Sequence, residues 1–334
     1  MELELIQIGE PKKLEQSVEK VRSILEKQQY DFIGKHGAVK TCHYTKSSLR
    51  NGLTCYKQRF YGIQSHQCVQ MSPVVDHCNY NCTFCWRPME FAPGAALSEK
   101  EADSPKFLVE ESINAQIRQL IGFKGDPKAN QQKVKEMFHP KHVAISLSGE
   151  PTLYPHLGQM IRNYHEHDMT TFLVTNGSNP EQIQRLIDEK AEPTQLYISL
   201  SAPNEKLYYK IDRSMVKNGW ERLQKSISLM QKLNGRTVIR LTLIREAMAA
   251  PESYAELIKL GKPMFVEVKG YSHVGNSMSR LGQEEMPTYD EITDFAKKVA
   301  ALINYDFRDS MEDARVALLV RNDISPEAQK IPLN

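Results

Sequence analysis

Three cysteines separated by three and two residues, Cys78-Asn79-Tyr80-Asn81-Cys82-Thr83-Phe84-Cys85, carry the strongest chemical signal in this sequence. Three thiolates on one tight loop can bind three irons of a [4Fe–4S] cubane and leave the fourth iron without a protein ligand. Burial and hydrogen bonds to sulfur tune such a cluster, and Phe84 beside the last cysteine suits a shielding role. A structural zinc site is the alternative, although zinc takes four ligands, usually from CxxC pairs. The other three cysteines, Cys42, Cys55 and Cys68, follow one another at thirteen-residue intervals, and no Asp or Glu stands between Phe32 and Val75. They are either buried and inert or the ligands of a second cluster, again with one iron open. The Lys and Arg residues around them, which stabilise thiolates, favour the second. Lys57 stands two residues after Cys55 and projects to the same side of an extended segment. A lysine beside other cations loses its proton more easily and can form a Schiff base with a carbonyl compound; the alternative is an ordinary surface lysine. A third feature is Ser148-Gly149-Glu150-Pro151, where the glycine lets backbone approach a ligand closely, though such a tetrapeptide can also simply end a strand.

The elements that must position these residues follow from periodicity. Strands are predicted near 70–76, 143–149, 170–176, 195–201, 237–244, 264–269 and 315–320, with helices between them. A first helix runs from Leu14 to about Gln28. Others are Phe107 to Ile121, with Val109, Ile113, Ile117 and Leu120 on one face, and Trp220 to Leu233. A further helix starts at Thr288, where Glu291 completes a capping box. Strand–helix alternation implies a parallel α/β sheet with crossover helices. In 195–201, Leu196, Ile198 and Leu200 oppose Tyr197, Ser199 and Ser201. In 237–244, Ile239, Leu241 and Leu243 oppose Arg240 and Thr242; in 264–269, Met264, Val266 and Val268 oppose Phe265, Glu267 and Lys269. One apolar and one polar face per strand fits a barrel with a site inside it better than a doubly wound sheet covered on both sides. Asp212, Arg213, Arg240, Glu267 and Lys269 are expected to point inward. Residues 30–69 show no clean period and read as an irregular extension wrapped around something. The division is therefore 1–69, an N-terminal extension with Cys42, Cys55, Cys68 and Lys57, and 70–334, a partial barrel with a basic insertion near 123–142.

With 334 residues, 40% hydrophobic and 25% charged, the chain reads as a soluble globular protein expected in the cytoplasm. No run approaches the roughly 20 apolar residues of a membrane span, and the opening residues lack a signal-peptide pattern. A net charge of +2 says little by itself. The positive charge is segregated, however, into the acid-free stretch with Lys35, Lys40, Lys46, Arg50, Lys57 and Arg59, and into 124–142 with Lys124, Lys128, Lys133, Lys135 and Lys141. Such stretches are either solvated loops or a face for a polyanion.

The cysteine loop in series with SGEP resembles the radical S-adenosylmethionine (SAM) superfamily. That resemblance implies that Ser148, Gly149 and Glu150 hold SAM's methionyl amino group, and that Asn176 and Ser199 contact its ribose and methionyl portions. A more specific resemblance, to the 4-demethylwyosine synthases of wybutosine biosynthesis, runs through AVKTCHYTKSSLRNGLTCYKQRFYGIQSHQCVQMSPV, CNYNCTFCWRP, SLSGEPTLYP, FLVTNGS, QLYISLSAP with KIDRSM, RTVIRLTLIRE and FVEVKGYSHVG. It implies an incomplete (β/α)6 radical-SAM barrel with an N-terminal extension. It also implies conversion of N1-methylguanosine-37 of tRNA-Phe, with two carbons of pyruvate, to the tricyclic base 4-demethylwyosine. Cys78, Cys82 and Cys85 would hold the SAM-cleaving [4Fe–4S] cluster, Cys42, Cys55 and Cys68 an auxiliary [4Fe–4S] cluster, and Lys57 the pyruvate imine. The middle motif departs from the wider superfamily in having Ser148 where Gly is common. The chain resembles the shorter archaeal type, so electrons are expected from a separate flavodoxin- or ferredoxin-type donor; the anticodon stem-loop is the expected partner, and no membrane is. A different radical-SAM protein with an auxiliary cluster, such as a glycyl-radical activase, and a zinc-stapled RNA-binding module are the competing readings.

Overall fold

The computed structural model describes residues 11–88, 94 and 96–332. Among these, ten strands form one sheet: β1 (Asp31–Ile33), β2 (Gly37–Val39), β3 (Cys68–Ser72), β4 (His142–Ile145), β5 (Thr170–Thr175), β6 (Gln195–Ser199), β7 (Arg236–Leu243), β8 (Phe265–Gly270), β9 (Tyr305–Met311) and β10 (Val316–Arg321). Their spatial order is β1-β2-β3-β4-β5-β6-β7-β8-β10-β9. Strands β3 to β8 are mutually parallel, each beside the next in sequence, which is the incomplete six-stranded barrel expected. Antiparallel strands flank it on both sides, β1 and β2 on one and β10 and β9 on the other, and the sheet does not close. The 315–320 strand thus returns antiparallel to β8 and is not a seventh parallel member. The three-residue strands β1 and β2 are too short to show a period, and in β9 the alternation of Tyr305, Phe307 and Met311 is interrupted by Asp309 beside a β-bulge, which weakens the signal.

The two faces of the strands divide as their alternation predicts. Leu196, Ile198, Leu200, Ile239, Leu241, Leu243, Val266 and Val268 pack outward with the crossover helices. Tyr197, Val238 and Phe265 face the lumen with Phe172 and Ala144. Met264 differs from expectation: it falls just before β8 and packs with the lumen cluster. The helix Pro105–Leu120 also turns otherwise than its Ile/Val spacing suggested. Leu108, Ser112, Ala115 and Gln116 are buried with Val109 and Leu120, while Ile113 and Ile117 are only half-buried. Its polar side is needed inside because it ties the extension to the barrel: Gln116 Nε2 donates to the Cys68 carbonyl at 3.2 Å, and Thr41 Oγ1 donates to Gln119 at 2.7 Å. The capping box at Thr288 and Glu291 is present and starts the helix Tyr289–Ile303.

The 30–69 stretch is not irregular as expected: it holds β1, β2 and the short helices His43–Leu49 and Tyr56–Tyr61, each too short to show a period, and Lys57 sits on a helical turn, not on an extended segment. The short helix Tyr56–Tyr61 enters the lumen, where Tyr56, Phe60, Tyr61 and Ile63 join Phe172, Tyr197, Phe265 and Leu318 in one apolar cluster. Phe60 and Tyr61 are fully buried, and each such aromatic contributes about 2 kcal/mol by leaving water. The helix thereby fixes the depth of Lys57. Among the described residues no helix is long and apolar enough to cross a membrane.

Candidate active site

The loop after β3 carries Cys78, Cys82 and Cys85 to the carboxyl ends of the parallel strands, where barrel sites are built. All three sulfurs line one cavity of about 700 Å³ together with Glu150, Asn176, Ser199 and Asp212. The loop is held from several sides. Asn79 donates to Ser178 Oγ at 2.8 Å and accepts from Asn176 Nδ2 at 2.9 Å. The Thr83 amide donates to the Ile211 carbonyl at 2.8 Å. Arg280 donates to the carbonyls of Thr83 and Cys85. Gly149 closes the underside: its φ is +71°, and a Cβ there would lie 1.9 Å from the Val74 carbonyl oxygen and 2.4 Å from that of His77. No larger residue lets β4 approach the cysteine loop so closely.

Burial pushes the Cys78 and Cys82 thiols well above the usual thiol range, so metal ligation would have to displace their protons. No group of three or more His, Cys, Asp or Glu among the described residues is arranged to hold a single metal ion. A cubane sets its thiolates on three separate irons and spans a wider gap, so three cysteines around one cavity, with an open side, fit a cluster better than zinc.

The remaining predicted SAM residues fall into two groups. Glu150, Asn176, Ser199 and the backbone of Gly149 line the cavity. Ser148 does not: it is buried with its carbonyl accepting from Ser72 Oγ at 2.5 Å, and Ser146, two residues earlier, reaches the cavity instead. Glu150 ties the ends of β4 and β5 together. One carboxylate oxygen accepts from the Thr152 amide at 3.1 Å, from Thr152 Oγ1 at 2.7 Å and from Thr175 Oγ1 at 2.6 Å; the other, among the described residues, accepts the Asn176 amide alone, at 2.8 Å. That second oxygen keeps acceptor capacity for an ammonium group. Asp212, left without a role by sequence reasoning, lines the same cavity, and its burial holds the carboxyl up at about 7. Arg213, expected inward, is exposed with φ of +46°.

A second cavity of about 990 Å³ lies deeper in the lumen, lined by Cys42, Cys55, Cys68 and Lys57. Cys42 and Cys55 are the residues that immediately precede the helices His43–Leu49 and Tyr56–Tyr61, and Cys68 opens β3. The thirteen-residue spacing thus places the cysteines at three element boundaries around one space. Burial raises all three, Cys55 to about 11 and Cys68 to about 12. Lys57 Nζ stands 4.7 Å from the Phe172 ring centre and 4.6 Å from that of Tyr197. Burial, and then the nearby Arg240 charge, lower its pKa. Arg87, Ser146 and Val174 line both cavities and form the wall between them. Arg87 had no assigned role, although its position directly after Cys85-Trp86 was a usable signal.

Two family models match the chain: the radical SAM superfamily over residues 72–258 and wyosine base formation over residues 260–321. An S-adenosyl-L-methionine-dependent tRNA 4-demethylwyosine synthase of Pyrococcus abyssi is 48% identical over 92% of this chain and 91% of its own length. The chain belongs to the 4-demethylwyosine synthase family. The synthase of Methanocaldococcus jannaschii is 40% identical over 90% of this chain and 96% of its own. The human synthase TYW1 is 37% identical over 85% of this chain but 38% of its own. A solved structure of TYW1 with a lysine–pyruvate adduct bound superposes with a TM-score of 0.81 at 38% identity, covering 94% of this chain and 97% of the other. As a radical-SAM member of this family, the synthase described here is an enzyme of wyosine-base formation that uses SAM and a [4Fe–4S] cluster. The two family models meet at residues 258–260, and the wyosine-specific part contributes Lys269 to the deeper cavity and Arg280 to the cysteine loop.

Proposed function

We propose that this synthase converts N1-methylguanosine-37 of tRNA-Phe and pyruvate into 4-demethylwyosine, with Lys57 forming an imine with the pyruvate carbonyl. The position of Lys57 carries the reading. Its amine is buried on an element inserted into the lumen, it opens on the cavity ringed by Cys42, Cys55 and Cys68, and its Nζ lies against the rings of Phe172 and Tyr197. A buried ammonium beside the Arg240 guanidinium is costly, so the site favours the free amine that attacks a carbonyl. The relative solved with a lysine–pyruvate adduct supports the same role.

Cys78, Cys82 and Cys85 would hold the SAM-associated cluster, and Cys42, Cys55 and Cys68 a second [4Fe–4S] cluster. When bound, the first supplies the electron that cleaves SAM to a deoxyadenosyl radical, drawn from a separate flavodoxin- or ferredoxin-type donor. Glu150, Asn176 and Ser199 would hold SAM over the loop. Lys57 keeps the two-carbon donor below the wall of Arg87, Ser146 and Val174, so the methylated base enters from the strand ends and meets the imine inside a lumen shielded from water, where a carbon radical is not quenched. The test is anaerobic turnover of reconstituted enzyme with SAM, reductant, pyruvate and tRNA-Phe carrying N1-methylguanosine-37, read by nucleoside mass spectrometry. Product is expected only with pyruvate and only on methylated tRNA; product on unmethylated tRNA or without pyruvate contradicts the reading.

The two basic segments are supported as one tRNA face because they pack on each other. Leu49 joins Leu120, Phe123, Ala129, Val134 and Met137 in a small core, the Asn130 amide donates to the Leu49 carbonyl at 2.7 Å, and Arg50 pairs with Asp126 at 2.7 Å. Lys133 is engaged with the Ser48 carbonyl, whereas Lys124, Lys128 and Lys135 are exposed. Reversing these three to Glu is expected to weaken tRNA binding and lower the slope of log K against log[salt] by roughly 2 to 3, since each phosphate contact contributes about 0.7–0.9. An unchanged affinity and slope in a titration series would exclude this face.

A further inference from the structure

Among the described residues, the large apolar side chains most open to solvent are Val274 and Met278, at 51% and 56% of full exposure. Apolar residues scattered singly over a surface need no explanation, but these two belong together. They stand four residues apart around the helical turn Gly275–Ser279. That turn lies on the segment after β8, at the carboxyl end of the parallel strands, where barrel sites open.

The turn is held firmly from within and from below. Tyr271 Oη donates to Ser277 Oγ at 3.0 Å, and Ser277 Oγ donates to the Val274 carbonyl at 2.6 Å. The Leu281 amide donates to the Ser277 carbonyl at 2.9 Å. Beneath it is the cysteine loop: the Asn276 amide donates to the Trp86 carbonyl at 2.9 Å, and Arg280 Nε donates to that of Thr83 at 3.1 Å. Gly275 sits so close that a Cβ there would stand 2.5 Å from the Trp86 carbonyl oxygen. The two apolar side chains are thus displayed on a frame already ordered, and a ligand that covers them pays little to fix it.

The chemistry of the segment points to RNA as that ligand. A base still bonded to its chain reaches the lumen only if the neighbouring nucleotides lie along the rim. From Tyr271 to Gln283 the rim carries His273 and Arg280 and no Asp or Glu, so phosphates approach it without repulsion. Electron delivery to the cluster is common to the whole superfamily, matched over residues 72–258, whereas this turn lies in the part matched by wyosine base formation, residues 260–321. That placement favours the RNA over an electron-donor protein. We infer that Val274 and Met278 form an apolar wedge that enters the anticodon-loop stack and fills the space vacated when the target guanine turns into the lumen. This rests on the reading that the substrate is a guanine in a tRNA anticodon loop. Apolar wedges offset the stacking lost when a base is unstacked, and they tolerate different neighbours because every base offers an apolar face.

The test is a binding titration of anaerobically reconstituted, full-length enzyme with three RNAs. These are tRNA-Phe carrying N1-methylguanosine-37, the same tRNA with an abasic residue at position 37, and the anticodon stem as a plain duplex. Wild type is expected to bind the abasic tRNA at least as tightly as the methylated one, because its stack already holds the gap. The double variant Val274→Ser, Met278→Ser should bind both tRNAs roughly 10- to 100-fold more weakly, the scale of two apolar side chains that lose their cover. Its affinity for the duplex and its slope of log K against log[salt] should stay as in wild type, since no phosphate contact is removed. The apolar replacement Val274→Ile, Met278→Leu should keep wild-type affinity, and thermal denaturation shows whether each variant is folded. Double-serine affinity for the tRNAs within twofold of wild type overturns the wedge and leaves the apolar pair to a protein partner. Abasic tRNA bound more than tenfold more weakly than methylated tRNA by wild type overturns the insertion, whatever the variants do. Wild type that binds neither tRNA better than the duplex overturns the anticodon-loop reading itself, a separate outcome.

Discussion

Replacing Lys57 with methionine is expected to abolish 4-demethylwyosine formation, by roughly 10⁴-fold or more, the scale on which loss of a covalent nucleophile acts. The protein should remain folded. Methionine fills nearly the same volume between Phe172 and Tyr197, and exchanging a buried amine held only by ring contacts for an apolar side chain is neutral or stabilising by about 1 kcal/mol. SAM cleavage should also persist, because the residues around Cys78, Cys82 and Cys85 do not include Lys57. The diagnostic is therefore a split: deoxyadenosine still released, no pyruvate-derived mass on the protein, no tricyclic base. Residual product within tenfold of wild type would show that pyruvate needs no imine at this position.

Gly149→Ala should be the most damaging of the conservative substitutions, for a different reason. The new methyl would lie 1.9 Å from one carbonyl oxygen and 2.4 Å from another, both in the backbone leading into Cys78, at a φ of +71°. Neither oxygen can move without moving the cysteine loop. The expected cost is about 3 kcal/mol or more, from strain and left-handed backbone together, with SAM cleavage reduced at least 100-fold even at temperatures where the protein stays folded. Gly177→Ala is the control. It has a similar φ of +75°, but its methyl would meet the Leu223 Cδ1 side-chain atom at 2.7 Å, which can rotate away, so about 1 kcal/mol is expected. Thermal denaturation and deoxyadenosine release measured on both variants decide it; equal effects at the two sites would remove the special role given to β4 beneath the loop.

Local pattern carried the parts of this protein that depend on local pattern. The CxxxCxxC loop, the six parallel strands, their polar lumen face and the capping box at Thr288 all rest on spacings of two to four residues, and each was legible. What was not legible depends on contacts between distant segments. The turn of the helix Pro105–Leu120 is set by Gln116 and Gln119 reaching the extension, not by its Ile and Val spacing. Arg280 grips the cysteine loop from nearly two hundred residues away in sequence, with separations of 197 and 195. Ser146 replaces Ser148 at the cavity because β4 ends at Ile145 and the chain turns there, a boundary that periodicity does not place within two residues. The insertion of Tyr56–Tyr61 into the lumen was hidden for the same reason: its aromatic residues are suited to a core, but which core is a matter of topology.

The arrangement places two cysteine sets in adjoining cavities of one lumen, separated by Arg87, Ser146 and Val174. Iron and sulfide counting in anaerobically reconstituted protein tests that arrangement most directly, with wild type beside the triple variant Cys42→Ala, Cys55→Ala, Cys68→Ala. Two cubanes predict about eight irons per chain falling to about four, with SAM cleavage kept in the variant and pyruvate-dependent product lost. About four irons in both proteins would contradict the two-centre lumen and leave Lys57 beside three cysteines that hold no cluster.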